Sequence, residues 1–317
     1  MDPWRFWRAR GFWNRFFWPV SVLYCAVTAA RRRLYEKGIL RVCRVSRPVI
    51  VVGNITVGGT GKTPFVVWLC AQLQASGRRP GVALRGYGGL NRALLEVRPT
   101  TDPAIAGDEA VLLARRTGHV VVVCADRVAA ARALIARGCD VVVCDDGLQH
   151  YRLGRTLEIG ILDGVRRFGN EYCLPSGPLR ERRARWEALD FRVTQGAPGP
   201  GEWAMRLEGT VAYAVGGGEA PIPVARLGRV HGVAGIGNPQ RFFAYLRHLG
   251  LEVVAHAFPD HHTYVREDLD FADGDSVVMT EKDAVKCEAF ARPGWWYVPV
   301  TAVVDTDLAR RIVARLA

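Results

Sequence analysis

The chain has 317 residues, enough for two domains or one large one, and at 49% hydrophobic and 23% charged it is not a disordered polymer. No run of about 18 apolar residues occurs, which argues against a standard transmembrane helix. Net charge is +12, but residues 1–47 hold eleven Lys and Arg against two acidic residues; the rest is near neutral, so no nucleic-acid partner is expected.

The first segment is aromatic as well as basic. Residues 4–24 contain Trp4, Phe6, Trp7, Phe12, Trp13, Phe16, Phe17, Trp18 and Tyr24, with arginines interleaved. Phe12, Phe16, Leu23, Val27 and Leu34 recur at helical spacing and predict one apolar face. The uncharged run 16–30 is too short to span a bilayer at about 1.5 Å per residue, and Pro19 interrupts it. No small-residue cleavage site marks it as a signal peptide. Two readings stay open: a helix packed on the protein's own core, or an interfacial helix lying on anionic lipids. The Trp and Arg content favours the second.

Next, Val49–Gly53 predicts a buried strand, followed by a Gly-rich loop and a helical pattern over 64–76. Strand patterns over 81–84, 120–125, 141–144 and 159–162 alternate with helical ones over 109–117 and 127–137. This alternation predicts an α/β fold, a mostly parallel sheet with helices on both faces, and the Gly-rich loop after its first strand makes it P-loop NTPase-like. A linker signal (GAPGPG) lies at 196–201, and 205–207 with 211–215 predicts a hairpin. Strand and helix patterns then resume over 233–235, 239–249, 252–258, 276–280, 296–300 and 307–316. The expected organisation is a membrane-associating helix over 1–47, a P-loop lobe over 48–200 and a second α/β lobe over 201–317. A hinge near 196–216 and a cleft between the lobes complete it. The eight cysteines are dispersed without a C-x-x-C pair, and several, such as Cys124 and Cys144, sit in apolar runs. They predict reduced, buried thiols in a reducing cytosol, and no zinc site.

The strongest chemical motif is Thr56, Val57, Gly58, Gly59, Thr60, Gly61, Lys62, Thr63, between a predicted strand and a predicted helix. Small residues let backbone N–H groups wrap phosphates, Lys62 reaches the β/γ-phosphates and the Thr63 hydroxyl reaches Mg²⁺. The usual pattern begins with Gly where Thr56 stands. Position 57 is Val, not the lysine of partitioning-type ATPases, and no GTPase base-reading motif occurs. An apolar strand ending in Asp145 and Asp146 is Walker-B-like and offers carboxylates to Mg²⁺. Gly107, Asp108 and Glu109 precede a helix: either an N-cap, or a base (Asp108) beside a metal ligand (Glu109). His261 and His262 in FPDHH are either a surface pair or, through His261, support for that base across the cleft.

Together these residues resemble one family, the tetraacyldisaccharide 4′-kinases of lipid A biosynthesis. The shared runs are GN-x-x-x-GG-x-GKT (53–63), RGYGG (85–89), GDE (107–109), ADR (125–127) and DDGLQH (145–150). LPSGPLRE (174–181), GIGNP (235–239), FPDHH (258–262) and TEKD (280–283) follow in order over nearly the whole chain. The resemblance implies ATP at residues 56–63 and transfer of its γ-phosphate to the 4′-hydroxyl of a tetraacylated glucosamine disaccharide 1-phosphate, giving lipid IVA. It implies Asp108 as base, His261 as its partner, and Thr63, Glu109, Asp145 and Asp146 around Mg²⁺. It places the protein on the cytoplasmic face of the bacterial inner membrane. A partner-coupled ATPase and a nucleic-acid module are the other classes, both disfavoured by the complete motif set.

Overall fold

The computed structural model describes residues 3–91, 93–271 and 274–316. Two sheets organise the chain. The larger runs, in spatial order, through Thr301–Val304, Trp203–Glu208, Phe191–Gln195, Leu157–Asp163, Val49–Gly53, Val141–Asp145, Pro80–Leu84, Val121–Val123 and Leu95–Val97. All of its pairings are parallel except the two at its edges. Val49–Gly53 is central and fully buried, as its β-branched run requires, because helices cover both faces of a parallel sheet. The smaller sheet runs through Ile222–Pro223, Val211–Ala214, Trp295–Val298, Ser276–Thr280, Arg229–Ala234 and Glu252–Ala257.

The predicted hairpin does not form. Trp203–Glu208 closes the first sheet, while Val211–Ala214 joins the second. The chain crosses between lobes at 209–210 and returns at 299–300, so Thr301–Val304 and the Thr306–Ala314 helix belong to the first lobe. The seam is therefore two adjacent strand crossings rather than one linker. Gly209 is wedged there: a Cβ would lie 2.1 Å from the Pro299 carbonyl oxygen. The Tyr245 hydroxyl accepts from Gly209 N–H at 2.7 Å and donates to its carbonyl at 3.0 Å.

The first lobe's edge is pinned by one carboxylate. Glu202 accepts from Arg167 at 2.7 and 3.0 Å, Thr194 Oγ1 at 2.7 Å, Trp186 Nε1 at 2.9 Å and Gly199 N–H at 2.6 Å. Burial raises its pKa, but these donors outweigh burial and hold it at about 2. Glu202→Ala strands several donors and is expected to cost about 3 kcal/mol, read by denaturant unfolding. Because the folded-state pKa is depressed, this stabilisation is present above the ordinary value of 4.5 and fades as pH falls toward about 2. A midpoint unmoved by the substitution contradicts this role.

The N-terminal segment forms helices Pro3–Trp7, Phe12–Phe16 and Trp18–Glu36. Their inner side is polar and well bonded. The Asn14 amide donates to the Phe6 and Ser176 carbonyls, and the Ser21 hydroxyl donates to the Cys173 carbonyl and accepts from Ser176 N–H. Cys25 and Cys173 form a disulfide with Cα atoms 6.3 Å apart, which corrects the expectation of uniformly reduced thiols. A sequence separation of 148 left no local signal for that pair. The other six cysteines are free, and five of these are buried. The outer side is apolar: Phe16 is 63% and Leu23 65% exposed, with Phe12, Trp13, Trp18 and Val27 alongside. Thus the predicted apolar face exists but does not pack on the core. No helix among the described residues is long and apolar enough to cross a membrane.

Candidate active site

A cleft of about 1420 Å³ lies between the lobes. On its floor, the central strand ends at Gly53 and the chain turns into the Lys62–Ala75 helix. Gly58 and Gly61 hold φ of 102° and 88°, which the turn needs and side chains resist. A Cβ on Gly61 would also press to 2.9 Å from Gln195 Oε1. Residues 57–63 line the cleft. Thr56 does not; it is buried behind the loop, bridged to Leu179. The Val57 N–H is committed to the Pro178 carbonyl at 2.9 Å. The Thr60 hydroxyl is buried without a partner among the described residues, which suits a loop that receives phosphate oxygens.

The acidic pair stands at the end of the neighbouring strand. Asp146 adopts φ +48°, which turns it toward the loop: Lys62 Nζ is 3.6 Å from its Oδ1, and Arg180 contacts both oxygens at 2.9 and 3.0 Å. Burial raises the Asp146 pKa, but Lys62 and Arg180 outweigh burial and hold it at about 2. Asp145 is the opposite case. Burial, then the negative charge of Glu109, pushes it up to about 7 against the pull of Lys62. The lysine alone does not offset burial and the neighbouring carboxylate, whereas a hard divalent cation there would. No group of three or more His, Cys, Asp or Glu among the described residues could hold one alone. Mg²⁺ is commonly held by one or two carboxylates acting with substrate phosphates and water.

On the opposite wall, Asp108 opens the Asp108–Thr117 helix after Gly107 at φ 91°. It is 4% exposed, and its Oδ1 accepts from Glu109 N–H at 2.8 Å. His261, at φ 61° in the second lobe, presents Nδ1 3.1 Å from both Asp108 oxygens, so Nδ1 carries the proton and donates. Burial raises the Asp108 pKa, but His261, Lys282 and Lys286 outweigh it and the net shift is down. Burial depresses His261, but the Asp108 bond outweighs it and the net shift is up. The pair is mutually stabilised and spans the two lobes. The adjacent histidines separate in role: His262 bonds Asp268 at 2.9 Å, away from the cleft.

Lys282 is the residue that sequence reasoning missed. Its Nζ lies 3.1 Å from Glu109 Oε1, 3.2 Å from Asp260 Oδ1 and 3.3 Å from His261 Nε2. A local signal existed: Thr280 caps the Glu281–Cys287 helix, and a lysine in a first turn opposes the helix dipole. The lobes also meet at the P-loop, where Arg166 Nη1 donates to the Gly237 carbonyl at 2.9 Å and Asn238 and Arg241 donate to Asp163. Gln149, of the DDGLQH run, bonds the Asn54 carbonyl and Glu181. His150 is neutral near pH 7, because burial and then Arg127 and Arg155 lower its pKa to about 4.

The comparisons with known proteins agree with this geometry. The family model for tetraacyldisaccharide-1-P 4′-kinase matches residues 13–317. The chain belongs to that family. The tetraacyldisaccharide 4′-kinase of Nitrosococcus oceani is 49% identical over 301 residues, covering 94% of this chain and 89% of that one. That of Methylobacillus flagellatus is 47% identical over 317 residues, covering 98% and 95%. The crystal structure of LpxK from Aquifex aeolicus in complex with ATP superposes with a TM-score of 0.81 at 27% identity, over 96% of this chain and all of that one. The P-loop NTPase-like fold and kinase class expected from sequence stand on these matches.

Proposed function

We infer that this chain transfers the γ-phosphate of ATP to the 4′-hydroxyl of a tetraacylated glucosamine disaccharide 1-phosphate, giving lipid IVA. The observation that carries the reading is the meeting, across one cleft, of a P-loop and an Asp108–His261 pair held at 3.1 Å. Phosphoryl transfer asks a protein mainly for positioning and charge neutralisation. Residues 57–61 and Lys62 hold the triphosphate. Thr63 with one or two of Glu109, Asp145 and Asp146 would hold Mg²⁺ together with the phosphates, and when bound it would neutralise their charge.

The pair supplies the base. Asp108 is a weak base here, since its carboxylate is held low and already accepts from Nδ1–H and its own helix. His261 Nε2 is then the atom that takes the hydroxyl proton, and Asp108 fixes the imidazole's tautomer and charge. The pair expected from the sequence thus acts as one unit. In the present arrangement Lys282 donates to Nε2 at 3.3 Å, so the incoming hydroxyl must take its place.

Purified protein with γ-labelled ATP, Mg²⁺ and detergent-dispersed lipid acceptor tests the reaction; labelled lipid is expected, and its absence contradicts it. The metal is tested separately: Asp145→Asn should raise the Mg²⁺ concentration needed for half-maximal rate at least tenfold. An unchanged Mg²⁺ dependence removes Asp145 from that role.

The exposed apolar face of the N-terminal helices supports a position on the cytoplasmic surface of the inner membrane, where the acceptor's chains reside. Aromatic side chains sit at headgroup depth, and the arginines of residues 1–47 favour anionic lipids. Phe16→Asp with Leu23→Asp is expected to abolish flotation with phosphatidylglycerol vesicles, while leaving the melting temperature within a degree or two. Retained flotation would contradict the interfacial reading.

A further inference from the structure

Behind the catalytic pair stands a buried cation that the mechanism above leaves unused. Lys286 follows Lys282 by one turn on the Glu281–Cys287 helix, but it does not line the cleft, and its Nζ is shut off from solvent. Two carboxylates face it: Asp283 Oδ1 at 2.9 Å, on the same helix, and Asp108 Oδ2 at 3.8 Å, across the seam between the lobes. Burying an ammonium is costly unless it is paired, and the fully buried Asp283 supplies that pair. Pairing with Asp283 accounts for the burial of Lys286 but not for its approach to Asp108.

The approach matters because of how Asp108 is held. His261 Nδ1 is 3.1 Å from both Asp108 oxygens and so does not choose between them. Glu109 N–H fixes Oδ1 at 2.8 Å, and Lys286 stands on the Oδ2 side. The same ion pair also supports His261. Asp283 Oδ2 accepts from Gly235 N–H at 3.0 Å and from Thr280 Oγ1 at 2.6 Å, and the Gly235 carbonyl accepts from His261 N–H at 3.3 Å. Gly235 has little slack: a Cβ there would lie 2.7 Å from the Tyr264 hydroxyl and 3.0 Å from Asp283 Oδ1.

This inference rests on the kinase reading above. We propose that Lys286 is a positioning residue for the phosphoryl transfer: with Asp283 it orients the Asp108 carboxylate and the His261 imidazole that receives the acceptor's proton. Transfer depends on near-attack geometry, so a loosened pair costs rate without touching the nucleotide. The seam itself does not depend on Lys286, because Arg116 bonds Glu281 at 2.7 Å and Arg115 bonds Glu288 at 2.9 Å across it.

The test is Lys286→Met, assayed with γ-labelled ATP and the tetraacylated acceptor, alone and in the Asp108→Asn background. Alone it should lower kcat about 10–10²-fold, with KM for ATP changed by less than about twofold. With Asp108→Asn present it should cost less than about twofold, because the pair that Lys286 positions is already broken. Equal losses in both backgrounds overturn the proposal, since a general weakening of the fold does not depend on Asp108. An unchanged kcat overturns it too. Lys286→Met strands the buried Asp283 carboxylate; should that variant not fold, Asp283→Asn with Lys286→Met removes both charges and carries the same comparison, with the same outcomes for and against. If the unsubstituted protein labels no lipid at all, the kinase reading has failed and this inference with it; labelled lipid with equal losses sinks the inference alone.

Discussion

His261→Ala lowers kcat by about 10²–10⁴-fold and leaves ATP affinity within about twofold, because the imidazole serves the acceptor and not the nucleotide. The asymmetry follows from placement. His261 touches Asp108, Tyr87 and Lys282, and among the described residues it has no bond to residues 56–63. Asp108→Asn should approach the same loss while preserving shape. An amide in place of the carboxylate no longer fixes Nδ1–H or stabilises the imidazolium that forms. The double substitution should be little worse than either single one, since both remove one unit. Steady-state kinetics with an ATP-binding titration check this. A near-normal kcat for His261→Ala contradicts the assignment, as does an equal loss of nucleotide affinity.

Lys62→Ala acts at the other end of the transfer. It removes the P-loop's own lysine and one of the cations holding Asp146 ionised. A loss of about 10²–10³-fold in kcat is expected, the usual scale for one preorganised charge facing a transition state. Arg180 remains on Asp146 at 2.9 Å, so the fold around the acidic pair should survive. Unlike His261→Ala, this variant should weaken ATP binding as well. Unaltered ATP affinity together with near-normal turnover would remove Lys62 from the reaction.

The sequence reveals the central architecture because its signals are local. Val49–Gly53, the glycine loop and the Walker-B-like strand are each short runs whose composition leaves little choice. The Asp108–His261 pairing was legible only through family resemblance, since 153 residues separate its members. What sequence reasoning missed is what distant segments do together. Thr301–Val304 joins the first sheet only because Trp203–Glu208 offers it an edge. Lys282 gains its meaning from Glu109 and His261, and Cys25 from Cys173. The N-terminal pattern predicted an apolar face correctly, but only the folded chain shows which side of that helix the core takes and which is left outside.

The central claim is that the P-loop and the His261–Asp108 pair act on one acceptor, the 4′-hydroxyl of an acylated disaccharide. The most direct measurement is phosphorus NMR of the lipid recovered after incubation with ATP and Mg²⁺, for the unsubstituted protein and for Lys62→Ala. A second phosphomonoester on the 4′ carbon, absent with Lys62→Ala, is the predicted result. ATP consumed with no new phosphate on the lipid contradicts it and points to an ATPase that serves a partner instead.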